Sequence, residues 1–129
     1  MPEEAQQNIR ILRNWANSKG YVKLPNPEGG PEKWIEVIRD TSGNAIRNES
    51  RLVIKPEAST TPGIHPISQY PRFEARIGRG KYINPFTSKV GTSRQYGHVW
   101  LDNPYLTIEE QEDLLRDEIN VYNTMRMHS

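Results

Sequence analysis

The length and composition of the chain limit what it can be. It has 129 residues, a formal net charge of +1 and a hydrophobic fraction of 34%. These values predict a single domain over residues 1–129 with one modest core. The absence of cysteine excludes disulfide bonds, thiolate metal sites and a cysteine nucleophile. No apolar run approaches the ~20 residues that span a bilayer, so the sequence predicts no membrane anchor.

Charge is distributed unevenly along the chain. Residues 51–94 contain eight Lys or Arg against two Glu, a net +6, whereas residues 107–129 contain two Arg against six acids, a net −4. A basic middle segment is typical of proteins that bind a polyanion such as nucleic acid. The alternative is that these Lys and Arg side chains form an ordinary soluble surface.

The first half of the chain predicts a helix followed by a β-hairpin. Residues 2–19 carry the apolar stripe of an amphipathic helix, formed by Ala5, Ile9, Leu12 and Ala16. A loop rich in Pro and Gly follows over residues 21–33. Residues 34–39 and 46–55 are rich in β-formers and flank a turn at 41–44, which is the pattern of a β-hairpin.

The second half predicts further strands and a closing helix. Thr107 and Glu110 have the spacing of a capping box, and Leu115, Ile119 and Tyr122 form a helical stripe after it. The order of elements predicts an α+β fold with an N-terminal helix, a mainly antiparallel sheet of four to five short strands, and a C-terminal helix. The later strands are expected at 71–78, 81–86 and 96–101, and the C-terminal helix at 107–127.

The strand predicted at 71–78 has two chemically different faces. Because strand side chains alternate, Phe73, Ala75 and Ile77 point to one side of the sheet. The other side receives a carboxylate between two guanidiniums, from Arg72, Glu74 and Arg76. Such a row could bind an anion and transfer a proton. The alternative is a salt-bridged face that meets only solvent.

Histidine is the side chain that most readily transfers protons near neutral pH, and the chain contains three. His98 lies in the strand expected at 96–101, His65 lies in a Pro-rich loop, and His128 is next to the C-terminus. A strand histidine between aromatic residues often serves packing alone. A catalytic role for His98 requires that it share a face with Glu74.

If that face is shared, the residues suit cleavage of RNA through its 2′-hydroxyl. Glu74 would act as the base and His98 as the acid, while Arg72 and Arg76 would hold phosphate. His65 could replace either proton carrier. The reaction requires no cofactor, and the sequence shows no metal-ligand spacing.

Residues around this row are predicted to contact the substrate. Lys55 could hold phosphate, and Tyr82 could stack on a base. Thr92 supplies a loop hydroxyl that could bind phosphate or cap a turn. Lys81 ends a basic turn that lacks the spacing of a phosphate-binding loop, but it is also expected to meet the substrate.

Four stretches of the middle segment carry a family likeness: RLVIKPEAST at 51–60, PRFEAR at 71–76, KYINPFT at 81–87 and GH at 97–98. Together with GGPEKW at 29–34, they cover about half the chain. These stretches resemble the C-terminal toxin domains of bacterial polymorphic toxins, which are the variable tips of large secreted or contact-dependent growth inhibition proteins.

The resemblance implies a ribonuclease-like fold of the barnase, EndoU, colicin and RelE type, with an N-terminal helix before an antiparallel sheet. The positions that match its recurrent polar motif are Lys55, Glu57, Arg72, Arg76 and His98. It implies a monomeric toxin delivered as the tail of a larger secreted or cell-surface protein, acting on RNA in the target-cell cytoplasm. It also implies a cognate immunity protein, expected to be acidic. The chain departs from many relatives by continuing past the Gly-His stretch.

Other functions stay open at this stage. ADP-ribosyl transfer also uses Arg, Tyr and Glu on a split sheet. A non-catalytic module that binds nucleic acid or protein would explain the basic middle segment equally well. An immunity protein fits less well, because such proteins tend to be acidic when their toxin is basic.

Overall fold

Helix α1, Glu3–Ser18, forms one layer of the fold. The computed structural model describes residues 2–128. The stripe predicted from the sequence is buried: its residues are 0–7% exposed and pack against the sheet (Ala5, Ile9, Leu12 and Ala16). Arg13 of this helix donates to Glu32 at 2.7 Å, which joins the helix to the sheet.

Seven antiparallel strands form one sheet within residues 2–128. The strands are β1 Val22–Lys23, β2 Glu32–Arg39, β3 Ala45–Lys55, β4 Arg72–Gly78, β5 Lys81–Asn84, β6 Lys89–Gly91 and β7 Val99–Trp100. Their order is β1-β2-β3-β4-β5-β6, and β7 also pairs with β4. The predicted α+β class is confirmed, with two strands that were not expected, β1 and β6, which are only two and three residues long.

The β2–β3 hairpin is confirmed. Its turn is held by Asp40, whose carboxylate accepts from the backbone N–H groups of Ser42 and Asn44, both at 2.9 Å. Gly43 adopts a φ of +86°, which is available to glycine at little cost. The turn residues recognised in the sequence are therefore stabilised by hydrogen bonds within the turn itself.

Strand β4 forks the sheet at Glu74. Arg72 and Phe73 pair with β7, whereas the residues from Ala75 onward pair with β5. Phe73 and Ala75 face α1 as predicted, at 1% and 0% exposure. Ile77 was expected on the same side, but it is 38% exposed, because a register shift after Arg76 interrupts the alternation.

The opposite face of the sheet is partly covered by short helices. They are a 3-10 turn at Pro66–Gln69, α2 Ser93–Tyr96, α3 Ile108–Leu114 and α4 Arg116–Met127. A second apolar cluster joins the 3-10 turn, β7 and α3 through Ile67, Trp100, Ile108 and Leu115. Within residues 2–128, no helix is long and apolar enough to span a membrane.

Two predicted elements require correction. The strand expected at 96–101 is reduced to Val99–Trp100, because residues 93–96 form a helical turn capped by Thr92 and Gln95. The single helix expected at 107–127 begins with its predicted capping box at Thr107, but it breaks at Leu115. Leu115 adopts φ −110° and ψ 20°, and it buries its side chain in the second cluster.

Candidate active site

The polar face of β4 lies on the side of the sheet away from α1. In the register of the sheet, Arg72 lies between Lys55 of β3 and Trp100 of β7. Arg76 lies opposite Tyr82 of β5. Directly opposed residues project to the same side of a sheet, so these side chains share a face with Glu74.

A cavity of about 430 Å³ opens on this face. Glu74 and Tyr82 come from the sheet, His65 from the loop before β4, and His98 from the segment before β7. The remaining lining comes from the 3-10 turn and from α2 and α3: Ile67, Ser68, Ser93, Arg94, Gly97, Ile108 and Glu112. The cavity therefore brings two imidazoles and two carboxylates, those of Glu74 and Glu112, together from segments far apart in the chain.

The backbone on both sides of His98 is fixed. Gly97 ends α2, where its N–H donates to the Ser93 carbonyl at 2.7 Å. A Cβ at Gly97 would collide with that same carbonyl oxygen, so this position requires glycine. The carbonyl of His98 accepts from the Gln111 side chain at 3.1 Å. The capped helical turn before His98 and the buried side-chain amide of Gln111 thus fix the backbone from which His98 reaches the cavity.

Its surroundings lower the pKa of His98 below the ordinary 6.5. Although the side chain is reached by solvent in the cavity, partial loss of hydration is the first cause. The positive charges of Arg72 and Lys55 act in the same direction, as does His65, and the negative charge of Glu74 opposes them. The imidazole is therefore mainly neutral at neutral pH in the free protein.

This lowered pKa predicts a pH dependence of stability. The unfolded chain takes up the proton near pH 6.5, whereas folded His98 takes it up only at lower pH. The free energy of unfolding should therefore fall as the pH drops from 6.5 through the folded-state pKa. Urea unfolding of wild type and His98→Gln at pH 5 and 7.5 checks this, and the variant should lose less stability at pH 5. An equal loss in both proteins would contradict it.

The ring of His65 is held on two sides. Its Nδ1 accepts from the backbone N–H of Ile67 at 3.2 Å, so the proton of the neutral ring is on Nε2. The ring of Tyr122 from α4 meets it edge-on, with ring centroids 5.0 Å apart. This leaves Nε2–H of His65 as a hydrogen-bond donor, and the ring in this tautomer has no free nitrogen with which to accept a proton, so the expected replacement of the base by His65 does not fit this geometry.

Arg72 is a buried cation with an unfilled hydrogen-bonding position. Its residue is 7% exposed, and its Nη1 donates to the Tyr70 carbonyl at 3.2 Å. Its Nε finds no hydrogen-bond partner among the described residues. Burial lowers the pKa of Arg72, and the charge of Glu74 only partly offsets this. A guanidinium held in this way favours a bound anion.

Arg76 occupies the other side of Glu74. Its Nη2 lies 3.5 Å from Glu74 Oε1, and its guanidinium lies 4.7 Å from the centre of the Tyr82 ring. Its Nε also has no partner among residues 2–128. The Arg72, Glu74 and Arg76 row is therefore only partly satisfied by salt bridging, since two buried N–H donors beside the carboxylate have no hydrogen-bond partner among the described residues.

The predicted substrate-binding residues divide into two groups. Tyr82 lines the cavity, and Lys55 lies on the same face of the sheet opposite Arg72 but outside the lining. Glu57 and Lys81 are exposed and lie outside the cavity lining. The hydroxyl of Thr92 accepts from the Gln95 N–H as the cap of α2, and its neighbour Ser93 lines the cavity instead.

The sequence interpretation missed the contribution of α2 and α3. Arg94 lines the cavity and pairs with Glu112 at 3.0 Å and with Glu109 at 3.7 Å. The available signal was the Thr92–Gln95 spacing, which is a capping box like the one recognised at Thr107.

A larger depression of about 660 Å³ lies between residues 63–69 and α4. Its walls are mainly apolar, with Asp117 and Glu118 near one end of α4 and Arg126 near the other. Neither His65 nor His98 lines it, so proton chemistry is assigned to the smaller cavity.

Two further observations bear on the function of the site. Among residues 2–128, no group of three His, Asp or Glu side chains is arranged to hold a metal ion. Comparisons of the chain with protein-family models, with curated proteins and with solved structures found no match.

Proposed function

We propose that this chain is an endoribonuclease that cleaves cellular RNA, with tRNA as a candidate target, by transphosphorylation through the 2′-hydroxyl. The observation that carries the proposal is the cavity in which His65, Glu74 and His98 meet beside the buried Arg72. Two proton carriers and an adjacent phosphate-binding cation are what this reaction requires. A basic face also favours a polyanionic substrate.

The proposed reaction moves two protons and exchanges one bond at phosphorus. Glu74 removes the proton of the 2′-hydroxyl, and the 2′-oxygen attacks the neighbouring phosphorus. The bond from phosphorus to the 5′-oxygen breaks, and His98 gives that oxygen its proton. The products are a 2′,3′-cyclic phosphate and a free 5′-hydroxyl. The nucleophile belongs to the substrate and the cations are side chains, so the reaction is metal-independent.

Substrate binding prepares His98 for the role of acid. In the free protein, loss of hydration is the first cause of its lowered pKa, and the charges of Arg72 and Lys55 lower that pKa further. A phosphate bound to these cations offsets their charge, so the imidazole binds a proton more readily in the complex. The same two cations therefore hold the substrate and connect its arrival to the protonation of His98.

We further propose that the enzyme is a toxin domain carried by a larger secreted or cell-surface protein. The sequence resemblance supports this context, and a chain without cysteine can unfold and cross a membrane without reduction of disulfides. A cognate immunity protein would cover the basic segment 51–94, whose net +6 favours an acidic partner. In this context the toxin acts as a monomer in the cytoplasm of the target cell.

The deciding experiment incubates the purified chain with total RNA and with a defined tRNA in EDTA. We expect fragments that end in a 2′,3′-cyclic phosphate, and no cleavage of the matching DNA, which lacks the 2′-hydroxyl. Intact RNA would overturn the proposal. NAD consumption would indicate ADP-ribosyl transfer instead, and salt-sensitive binding without turnover would indicate a non-catalytic module.

A further inference from the structure

Both histidines of the cavity are contacted by the C-terminal helices. Gln111 of α3 donates from Nε2 to the His98 carbonyl at 3.1 Å. Tyr122 of α4 places its ring 5.0 Å from that of His65, at an interplanar angle of 66°. The two contacts come from different helices and reach different segments of the chain.

The Gln111 contact is set in a rigid environment. Gln111 is 2% exposed, and its amide is thereby committed to a hydrogen bond within the protein. Its backbone N–H donates to the Thr107 carbonyl at 2.9 Å, in the first turn of a helix that a capping box fixes at Thr107. The position of the His98 backbone is therefore tied to the start of α3.

The Tyr122 contact adds to the hydrogen bond by which the loop holds the ring of His65. The loop fixes Nδ1 through the Ile67 N–H at 3.2 Å, which limits the ring to rotation about that bond. The Tyr122 ring meets the imidazole edge-on, an arrangement that aromatic rings favour. Together, the two contacts define both the tautomer and the plane of His65.

The two helices also share one apolar cluster with the histidine-bearing segments. Ile108 and Leu115 pack with Ile67 of the loop and with Trp100 of β7. Trp100 Nε1 donates to the Ile67 carbonyl at 3.3 Å. His65 is two residues before Ile67, and His98 is two residues before Trp100. The cluster therefore connects the two segments that carry the histidines to the C-terminal helices.

We propose that Gln111 and Tyr122 are positioning residues: Gln111 holds His98 at the geometry required for proton transfer, and Tyr122 holds the ring of His65 so that its Nε2–H serves the site as a hydrogen-bond donor. The inference rests on the proposed ribonuclease function for its catalytic consequence. It gives the C-terminal segment, which the sequence left without a role, a place in the active site. Neither residue needs to touch the substrate.

The test compares Gln111→Met and Tyr122→Leu with three control variants. Gln111→Met keeps the side-chain volume and removes the donor, whereas Tyr122→Leu removes the ring. Tyr122→Phe keeps the ring and should behave as wild type. Leu114→Ala and Val121→Ala change exposed residues of α3 and α4, at 65% and 59% exposure, and should change nothing.

Two readouts are measured on each full-length protein. Heteronuclear NMR of the imidazole nitrogens reports the tautomer and pKa of each histidine, and steady-state cleavage of a short RNA gives kcat and KM. We expect Tyr122→Leu to alter the signals of His65 and Gln111→Met those of His98. In both variants, kcat should fall at least about tenfold with KM changed less than twofold, since small misplacements of reacting groups are costly.

Imidazole signals that stay as in wild type in both variants would overturn the inference, as would an unchanged kcat. A lower melting temperature with unaltered imidazole signals would show a structural role alone and would overturn it too. If wild-type protein cleaves no RNA, the proposed function fails, and the NMR comparison still decides whether these residues position the histidines.

Discussion

Replacing His98 with Ala is expected to lower kcat for RNA cleavage by about 10³-fold, within the range found for loss of a general acid or base. KM should change little, because Arg72 and Lys55 still hold the phosphate. His128→Ala is the matched control, since His128 lies exposed near the C-terminus. Cleavage by His98→Ala at the wild-type rate would remove His98 from the mechanism and leave His65 as the histidine to test.

The pH profile of the wild-type enzyme gives a second view of the same residue. The profile of kcat/KM reports the free protein, and the profile of kcat reports the complex with substrate. Because bound phosphate offsets the cations that lower its pKa, His98 should titrate at higher pH in the kcat profile. The pKa of the basic limb should therefore be higher in the kcat profile than in the kcat/KM profile. Coincident limbs would contradict the proposed link between phosphate binding and protonation.

Replacing Arg72 with Met is expected to separate activity from stability. Activity, as kcat/KM, should fall about 100-fold, the usual cost of removing one donor that stabilises transition-state charge. The free energy of unfolding should stay the same or rise by about 1 kcal/mol, because a buried cation with a free Nε is replaced by an apolar side chain of similar size. RNA cleavage assays and urea unfolding of the same preparations measure both effects.

Arg51→Met supplies the control for Arg72→Met. Arg51 is also 7% exposed, but its Nε donates to Glu36 Oε1 at 2.8 Å. Its replacement should lower the free energy of unfolding by up to about 1 kcal/mol, because Glu36 is partly exposed and keeps some of its hydration. Cleavage should be unaffected. Equal losses of stability in the two variants would show that Arg72 is an ordinary structural arginine.

The parts of the fold that were predicted from the sequence have local causes. The stripe of α1 and the turn at 41–44 are set by side-chain spacing and by residues that hydrogen-bond within the turn. The capping box at Thr107 is local in the same way. Strands β1, β6 and β7 were missed or misplaced because strands of two or three residues exist only through their pairing partners.

The candidate site divides in the same way: its locally determined features were predicted from the sequence, and those that depend on distant segments were not. Alternation along β4 placed Arg72, Glu74 and Arg76 on one face, since period two is a property of the strand itself. The arrival of His65 at the same cavity depends on how a long loop folds back over the sheet. The contact of Tyr122 depends on the break at Leu115, which moves α4 to a direction that a single helix would not have taken.

The fork in β4 has a consequence for how this fold can change in evolution. Ala75 and the residues after it pair with β5, whereas Arg72 and Phe73 pair with β7, and neither pairing sets the register of the other. Insertions or deletions between β5 and β7 can therefore reshape the rim of the cavity around Arg94 without moving Glu74. Under the proposed function, selectivity for different RNA targets would diversify there while Glu74 stays in place, whereas His98 lies within this connection and limits where it can change.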